Sequence, residues 1–512
     1  MASPVVIGID AGTTAVKAVA FSTDGAQIAA AHRTVPLAYG ARGEVECDMT
    51  AIWDAVAICL GEVTAAIRTH PVLAVGVTGQ GDGLWMLDAQ HRPVHPTPCW
   101  MDGRSGDRVA AWEGDGRAEA VLDVMGTVTF AGLTPVLFAE LSETEPEAMA
   151  SVACVLSCKD WVRFNLTGVL GTDYSEASRV LLDVNTMQYS ASLARGLGVA
   201  PLTHLLTPPS VADSVAGYVT ASAATATGLP EGTPVSVGLI DVWACGLGLG
   251  AVDDGDGWLI LGTTACVGVL LPDAAQRRSR LSMVMATGRG SQTVEFLAPT
   301  SSVPNLEWAA RTLGLAGATH PELERLAESV APGSGGVLYL PYGAPLGERA
   351  PFLDPQASAA WVGLGYATTT AQLLRAVYEG IAYALAECVE TLELDGELVV
   401  SGGGSRSTLL CQVLADVLQR PIVQEEASEA GALGAAITAL VAVGHCPDLR
   451  TGAEQLRSPS FTFQPDPAAG DAYKEGRALL AQVRDALKPA WGALRHHRAH
   501  TTHTTAANRS RP

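Results

Sequence analysis

Short apolar runs rich in β-branched residues alternate with longer helix-like stretches along this chain, and one phrase occurs twice, half the length apart. The first copy, VVIGIDAGTTAVKAVAF, runs from Val5 to Phe21, and the second, GWLILGTTACVGVL, from Gly257 to Leu270. Each is a β-rich run, a Gly-Thr-Thr turn and a second β-rich run, which predicts a hairpin with hydroxyl-bearing residues at its tip. Backbone N–H groups and Thr hydroxyls at such a tip can grip phosphate oxygens. Two such hairpins point to a duplicated domain with a nucleotide held between the halves. Aligned on the turn, Asp10 faces Ile260 and Lys17 faces Val267, so only the first copy keeps charge suited to metal and substrate chemistry. The competing reading is two ordinary hairpins in a chain with 54 Gly, and the matched strand context on both sides weighs against it.

The rest of the pattern extends this plan. A third strand is expected near Ala26–His32, a helix over roughly Met49–His70, and a buried strand over Leu73–Thr78 that ends in Gly79-Gln80-Gly81-Asp82-Gly83. A β-rich segment, Pro234–Leu239, ends at Asp241. In the second half a long helix is expected from about Thr369 to Leu394, then a strand Glu397–Val400, Gly402-Gly403-Gly404, and a helix near Leu409–Leu418. A short strand near Pro421–Gln424 and an Ala-rich helix over Ala427–Val443 follow. Gly and Asp concentrate between Gly246 and Asp256, which places the expected boundary there. The expected domains are 1–250, 251–446 and a C-terminal extension, 447–512, whose last fifteen or so residues read as a disordered, His- and Thr-rich tail.

Composition narrows the function. At 512 residues and 48% hydrophobic content, two large cores are expected. A formal net charge of −21 argues against a nucleic-acid or anionic-membrane partner, while leaving room for a phosphorylated ligand held by local donors. The ten Cys form no C-x-x-C pair and read as reduced thiols. A strand begins almost at the first residue, and no apolar run of spanning length free of turn residues is apparent; the expected location is cytoplasmic.

No Walker A loop is present, and Gly246-x-Gly248-x-Gly250 has the wrong spacing for a dinucleotide site, so phosphate binding is assigned to the hairpin tips. Asp10, ending the first strand, can hold Mg²⁺ beside phosphates gripped at Gly12, Thr13 and Thr14, with Lys17 adding positive charge. Asp241 follows an apolar run; a carboxylate there is costly unless paired or functional, and it can serve either as a base for a hydroxyl proton or as a helix N-cap. Gln80, Asp82, Trp100, Asp102 and Arg104 are polar or aromatic groups near strand ends, suited to the hydroxyls of a small polyol or sugar. Lys159-Asp160-Trp161 reads as a salt-bridged helix start, and Gly347-Glu348-Arg349-Ala350-Pro351 as a charged, rigid loop.

Taken in order, IDAGTT, TGQGDG, WMDGR, CKDWVRFNLTG, GLID, LGTT, GERAPFLDP, YEGIAY and SGGGSRS resemble the FGGY family of carbohydrate kinases, over about Val5 to Val443. The resemblance implies an α/β chain of two duplicated ribonuclease H-like, actin-like ATPase domains, with an interdomain cleft closing over MgATP and a small polyol or ketose. It implies Asp241 as base and Asp10 as organiser of Mg²⁺. Thr13, Thr14, Gly262, Thr263 and Thr264 would cradle phosphates, and Gly403 and Gly404 would lie by the adenosine, in a loop where Ser407 stands in place of the usual Asn. After Gly79-Gln80, xylulose kinases tend to have Met-His and glycerol kinases Arg-Glu. This chain has Gly81-Asp82, where the carboxylate could accept two hydroxyl donors and the glycine leaves room. That wording is most like kinases of short alditols, so the expected acceptor is the terminal hydroxyl of a small polyol, erythritol first. The alternatives are a ketopentose such as xylulose, L-xylulose or ribulose, and a non-catalytic actin-like nucleotide switch. A homodimer is compatible with this reading.

Overall fold

The computed structural model describes residues 3–344, 347–425 and 429–509. The elements that carry the functional residues are, in chain order, β1 (Val5–Ala11), β2 (Ala15–Ser22), β3 (Gln27–Thr34), α1 (Met49–Ala66), β4 (Val72–Gly79), α2 (Cys158–Thr167), α3 (Tyr174–Ala177), β5 (Val215–Tyr218), β6 (Pro234–Ser236), β7 (Leu239–Ile240) and α4 (Asp241–Gly248). There follow β8 (Gly257–Leu261), β9 (Ala265–Leu271), α5 (Thr370–Thr391), β10 (Leu398–Ser401), α6 (Thr408–Leu418), β11 (Ile422–Glu425), α7 (Ala430–Ala442), β12 (Ser460–Phe463) and α8 (Pro467–Arg509). The chain forms two compact units. The first comprises 1–256, 268–296 and 429–459, and the second 257–267, 297–428 and 460–512.

In the first unit the strand order is β5-β6-β4-β1-β2-β3, with β7 also on β4. β1 and β4 are parallel and buried on both faces, which explains their near-continuous apolar runs. β3 closes one edge and carries exposed polar positions, including His32 and Thr34. One side of the sheet is covered by α1, whose Met49, Ile52, Val56, Cys59, Leu60 and Val63 join the core. This helix is long and apolar enough to cross a membrane by length and composition, contrary to the expectation from sequence. Its apolar face packs into the unit, and Asp54 and Glu62 face outward.

The opposite side is covered by α7, which approaches at backbone distance. A Cβ on Gly8 would overlap the carbonyl of Ala432, and one on Gly76 that of Ala435. α7 is composed almost wholly of small residues there, Ala430-Gly431-Ala432-Leu433-Gly434-Ala435-Ala436. It meets α4 in the same way, Gly434 against Ala244 and Gly248 against Ala430. Glycine is required at these positions because backbone occupies the space a side chain would need.

The apolar run expected over Pro234–Leu239 is two strands. Gly238, at φ +77°, breaks it where the chain presses on the carbonyl of Val77. That kink lets β7 pair with the end of β4 and delivers Asp241 to the same edge.

In the second unit β8, β10 and β11 are parallel neighbours, with β12 antiparallel beyond β11. α5 starts in a capping box between Thr369 and Gln372 and buries an Arg375–Glu379 ion pair of 3.0 Å. Glu379 also accepts from Gly333 N and Ser334 Oγ, so the YEGIAY stretch is a bracing element. The two units share a plan: the strand before each Gly-Thr-Thr tip lies parallel to a strand that ends in a glycine-containing loop. The expected disordered tail is helical as far as Arg509. Neither Gly nor Pro occurs between Ala493 and Arg511, and Ala and Arg favour helix.

Candidate active site

Three parallel strand ends build the candidate site of the first unit. Asp10 on β1 is level with Thr78 on β4, and β7 places Leu239 level with the same Thr78. Thr78 Oγ1 donates to Leu239 O at 2.6 Å, which fixes the β4–β7 step. Asp10, Gln80 and Asp241 therefore emerge from the carboxyl ends of neighbouring strands, the position at which open α/β sheets hold ligands.

Asp10 has a buried Oδ1 with no hydrogen-bond partner. Burial pushes its carboxyl up to about 6; Lys17, its cross-strand neighbour, pulls it down and Glu429 pushes it up. Lys17 is itself paired with Glu429 at 2.7 Å, so its charge is directed to that carboxylate rather than standing alone for phosphate as the sequence suggested. Asp241 opens α4, and its Oδ1 accepts from Val242 N at 2.7 Å. It is the first helical residue rather than the N-cap, which is Ile240. Burial, then the charges of Asp10 and Asp82, push Asp241 up to about 7, and among the described residues no cation is paired with it. A carboxyl poised near neutrality at a strand end can take a hydroxyl proton.

Gln80 is buried with neither amide atom partnered. Gly81 does not leave an empty space: Ile240 Cδ1 occupies the place a Cβ would take. Asp82, at φ +58°, is held by Arg179, with Nε at 3.1 Å from Oδ1 and 3.2 Å from Oδ2, and Nη2 at 3.1 Å from Oδ2. Arg179 and the adjoining buried Glu176 were not singled out from sequence. The signal was there in Asp173, Glu176 and Arg179, three charged residues at i, i+3 spacing around a helix start. Glu176 has an unpartnered Oε1, and burial raises its carboxyl well above the usual range.

Other assigned residues act on the frame. Trp100 Nε1 donates to Thr13 Oγ1 at 2.8 Å, which ties a residue assigned to substrate to the phosphate tip. Asp102 is a bracing residue: it is 1% exposed and accepts from Val45 N, Arg104 N and the Arg104 guanidinium at 2.8–3.0 Å. Its acceptors are consumed by Arg104 in the same turn and by Val45 of a neighbouring strand. Lys159 pairs with Asp160 at 2.7 Å and Asp173 at 3.0 Å, all buried, as the salt-bridged helix start predicts.

In the second unit, Thr263 and Thr264 are exposed at the tip after β8, and Ser302 Oγ holds the carbonyl of Gly262 at 2.8 Å. β10 runs beside β8, with Ile260 level with Ser401, so the Gly402–Gly404 loop adjoins that tip. A Cβ on Gly403 would meet nothing, whereas Gly404 is packed against Leu261 and Val303. Ser407 caps α6 by accepting from Leu410 N at 3.1 Å, a structural use of the position. Glu348 in the charged loop accepts from Thr300 N at 2.7 Å and Arg349 N at 2.9 Å.

A hard divalent cation fits the first-unit cluster. Asp10 offers an unpartnered carboxylate oxygen, and oxygen donors are what Mg²⁺ prefers. No group of three or more His, Cys, Asp or Glu forms a ready protein-only cage among the described residues, which suits an ion that keeps waters and phosphate oxygens as ligands.

Two α/β units, each with a Gly-Thr-Thr tip beside a glycine-containing strand-end loop, define a two-domain α/β kinase fold. Residues 5–248 match the model of the FGGY family of carbohydrate kinases, N-terminal domain, and residues 257–443 that of the C-terminal domain. The chain belongs to the FGGY family and is a carbohydrate kinase, which sets aside the non-catalytic switch. It is 30% identical to the erythritol kinase of Brucella abortus, over 96% of this chain and 98% of that one. It is 28% identical to the L-xylulose/3-keto-L-gulonate kinase of Escherichia coli, over 96% and 99%. Among solved structures, the xylulose kinase from Rhodospirillum rubrum superposes with a TM-score of 0.86 at 27% identity, covering 95% of this chain and all of that one. FGGY kinases use ATP as phosphoryl donor.

Proposed function

We propose that this carbohydrate kinase phosphorylates the terminal hydroxyl of a short linear alditol, erythritol first, at the expense of ATP. The observation that carries the reading is the strand-end cluster in which Asp241, poised near pH 7, stands with Asp10, Gln80 and Asp82. Asp241 takes the hydroxyl proton as the alcohol oxygen bonds to the γ-phosphorus and the bond to the β,γ-bridging oxygen breaks, leaving ADP. Asp10 is the residue that would hold Mg²⁺, which when bound neutralises phosphate charge. Hydroxyls and amides at Gly12–Thr14 and Gly262–Thr264, of which Thr14, Thr263 and Thr264 are exposed, supply donors for phosphate oxygens, and the open face at Gly403 suits the nucleoside.

The choice of alditol rests on the acceptor side. The partly exposed group beside Asp241 is the Asp82 carboxylate, which accepts hydroxyl donors and repels a carbonyl oxygen. The relative named as an erythritol kinase agrees. A second reading, a ketopentose kinase, is supported by the relatives named for L-xylulose and xylulose. The deciding experiment is ADP release with MgATP against erythritol, threitol, glycerol, xylulose, ribulose and L-xylulose. A preference for a tetritol upholds the alditol. A preference for a ketopentose overturns the substrate while keeping the mechanism.

A further inference from the structure

The loop after β4 is built to aim one side chain. Asp82 and Gly83 both have left-handed φ, at +58° and +77°. The loop is pinned by Gly83 N to Gly132 O at 3.0 Å, Leu84 N to Pro98 O at 2.9 Å, Thr134 Oγ1 to Gly83 O at 2.7 Å, and Trp85 Nε1 to Asp82 O at 3.0 Å. A non-glycine residue held there by so many bonds is the kind of local strain that accompanies a functional position.

From the far side Arg179 meets the Asp82 carboxylate. It is 1% exposed, and its Nη1 donates to Thr127 Oγ1 at 2.9 Å, so the guanidinium plane is fixed independently of Asp82. The Asp82 side chain keeps 13% exposure. The donor of the pair is thus hidden and the acceptor presented. Oδ1 accepts once from Arg179 and Oδ2 twice, so of the about four acceptor sites of an ionised carboxylate the one left for a substrate hydroxyl is on Oδ1.

We infer that Arg179 is the positioning residue that sets acceptor specificity, by holding Asp82 as an ionised acceptor for substrate hydroxyls. The inference rests on the kinase reading above and deepens it, since it names what makes the site select a polyol. A carbonyl oxygen brought to the same place would face an acceptor with no donor to offer, and a buried polar group left unpaired discriminates strongly.

The charge environment makes Arg179 necessary. Burial holds the Asp82 carboxyl above its ordinary value, and Arg179 offsets part of that rise. The other ionisable groups around it are acids: Glu176 and Asp241 both interact with it electrostatically, and Tyr189 lines the same small cavity. Among the described residues, Arg179 is the cation paired with Asp82.

The test compares wild type, Arg179→Lys and Arg179→Gln with the acceptor that the panel identifies. Arg179→Gln is expected to raise the acceptor KM about tenfold or more near pH 7, with the KM for MgATP within about twofold. The penalty should shrink as pH rises, because Asp82 ionises again; Arg179→Lys should keep most of the affinity without that pH dependence. Because the Asp82 charge also raises Asp241, the comparison reads the acceptor KM, with kcat followed separately as the readout of the base. An unchanged acceptor KM in Arg179→Gln, or a loss that also affects MgATP and is untouched by pH, overturns the inference.

A second measurement needs no acceptor. The raised carboxyl of an unpaired Asp82 contributes stability at low pH that is lost as pH rises through its folded value. Arg179→Gln should therefore lose Tm relative to wild type as pH rises, and adding Asp82→Asn should abolish that extra loss. Equal pH slopes for wild type and Arg179→Gln would sink the inference even if no tested acceptor is phosphorylated. Silence of the wild type on the whole panel counts against the substrate reading alone.

Discussion

Ionising Asp241 costs free energy twice, once for leaving water and once for facing Asp10 and Asp82. Both costs fall on the protein whenever the base is in its working form. Two outcomes follow at the residue scale. The free-enzyme kcat/KM should rise with pH through about 7, with the Asp10–Asp241 pair titrating as a coupled unit; a flat profile between about pH 5.5 and 9 would remove Asp241 as base. Asp241→Asn should lower kcat about a thousandfold while leaving ATP binding intact. The same substitution should stabilise the metal-free protein at pH 8. A carboxyl whose folded value is raised loses its contribution as pH climbs, so removing the charge is worth up to a few kcal/mol above about pH 7 and nothing below about pH 4. Thermal melts of both proteins across that range check the sign.

At the scale of elements, the position of Asp10 depends on helix α7 lying directly on β1 and β4. The contact is backbone on backbone at Gly8 and Gly76, and the first turn of α7 reaches Asp10, since a Cβ on Gly431 would come within 2.9 Å of its Oδ2. Gly8→Ala should therefore push the helix off the sheet, with a loss of at least ~2 kcal/mol of stability and a fall in activity larger than the residual folded fraction explains. A circular-dichroism melt alongside a rate measurement on the folded fraction tests this, and a Tm within about 1 °C of wild type would contradict it. Such contacts were invisible in the pattern. An Ala-rich helix was expected over Ala427–Val443, but periodicity cannot reveal which strand a helix covers. The split of Pro234–Leu239 at Gly238 was missed for a similar reason, because the apolar run continues through a glycine whose kink is imposed by Val77. Asp102 read as a candidate ligand because its partners, Val45 and Arg104, come together only through the turn and the neighbouring strand.

At the scale of the whole molecule, neither unit is one continuous piece of chain. The first unit includes 429–459, which supplies α7 as the cover for one face of its sheet. Residues 1–250 alone would expose that face, including β1 and β4. Expressed by itself, this fragment is expected to aggregate or to melt far below the full chain, and size-exclusion chromatography with a thermal melt decides it. A monomeric fragment melting with the full chain would show that α7 is dispensable.

The ordered phrases alone specified the family, the two Gly-Thr-Thr tips, and Asp10 and Asp241 as the carboxylates at strand ends. They could do so because a tip, a strand and the residue that ends it are local, and local chemistry is written in consecutive residues. Tertiary structure alone decided that Arg179 braces Asp82, that Lys17 answers to Glu429, that Ile240 fills the space beside Gly81, and that Asp102 is spent on Val45 and Arg104. Each of these joins residues set by pairing register and by how closely backbone can approach backbone. Whether a charge is free for chemistry or consumed by a neighbour depends on those distances rather than on its place in the chain.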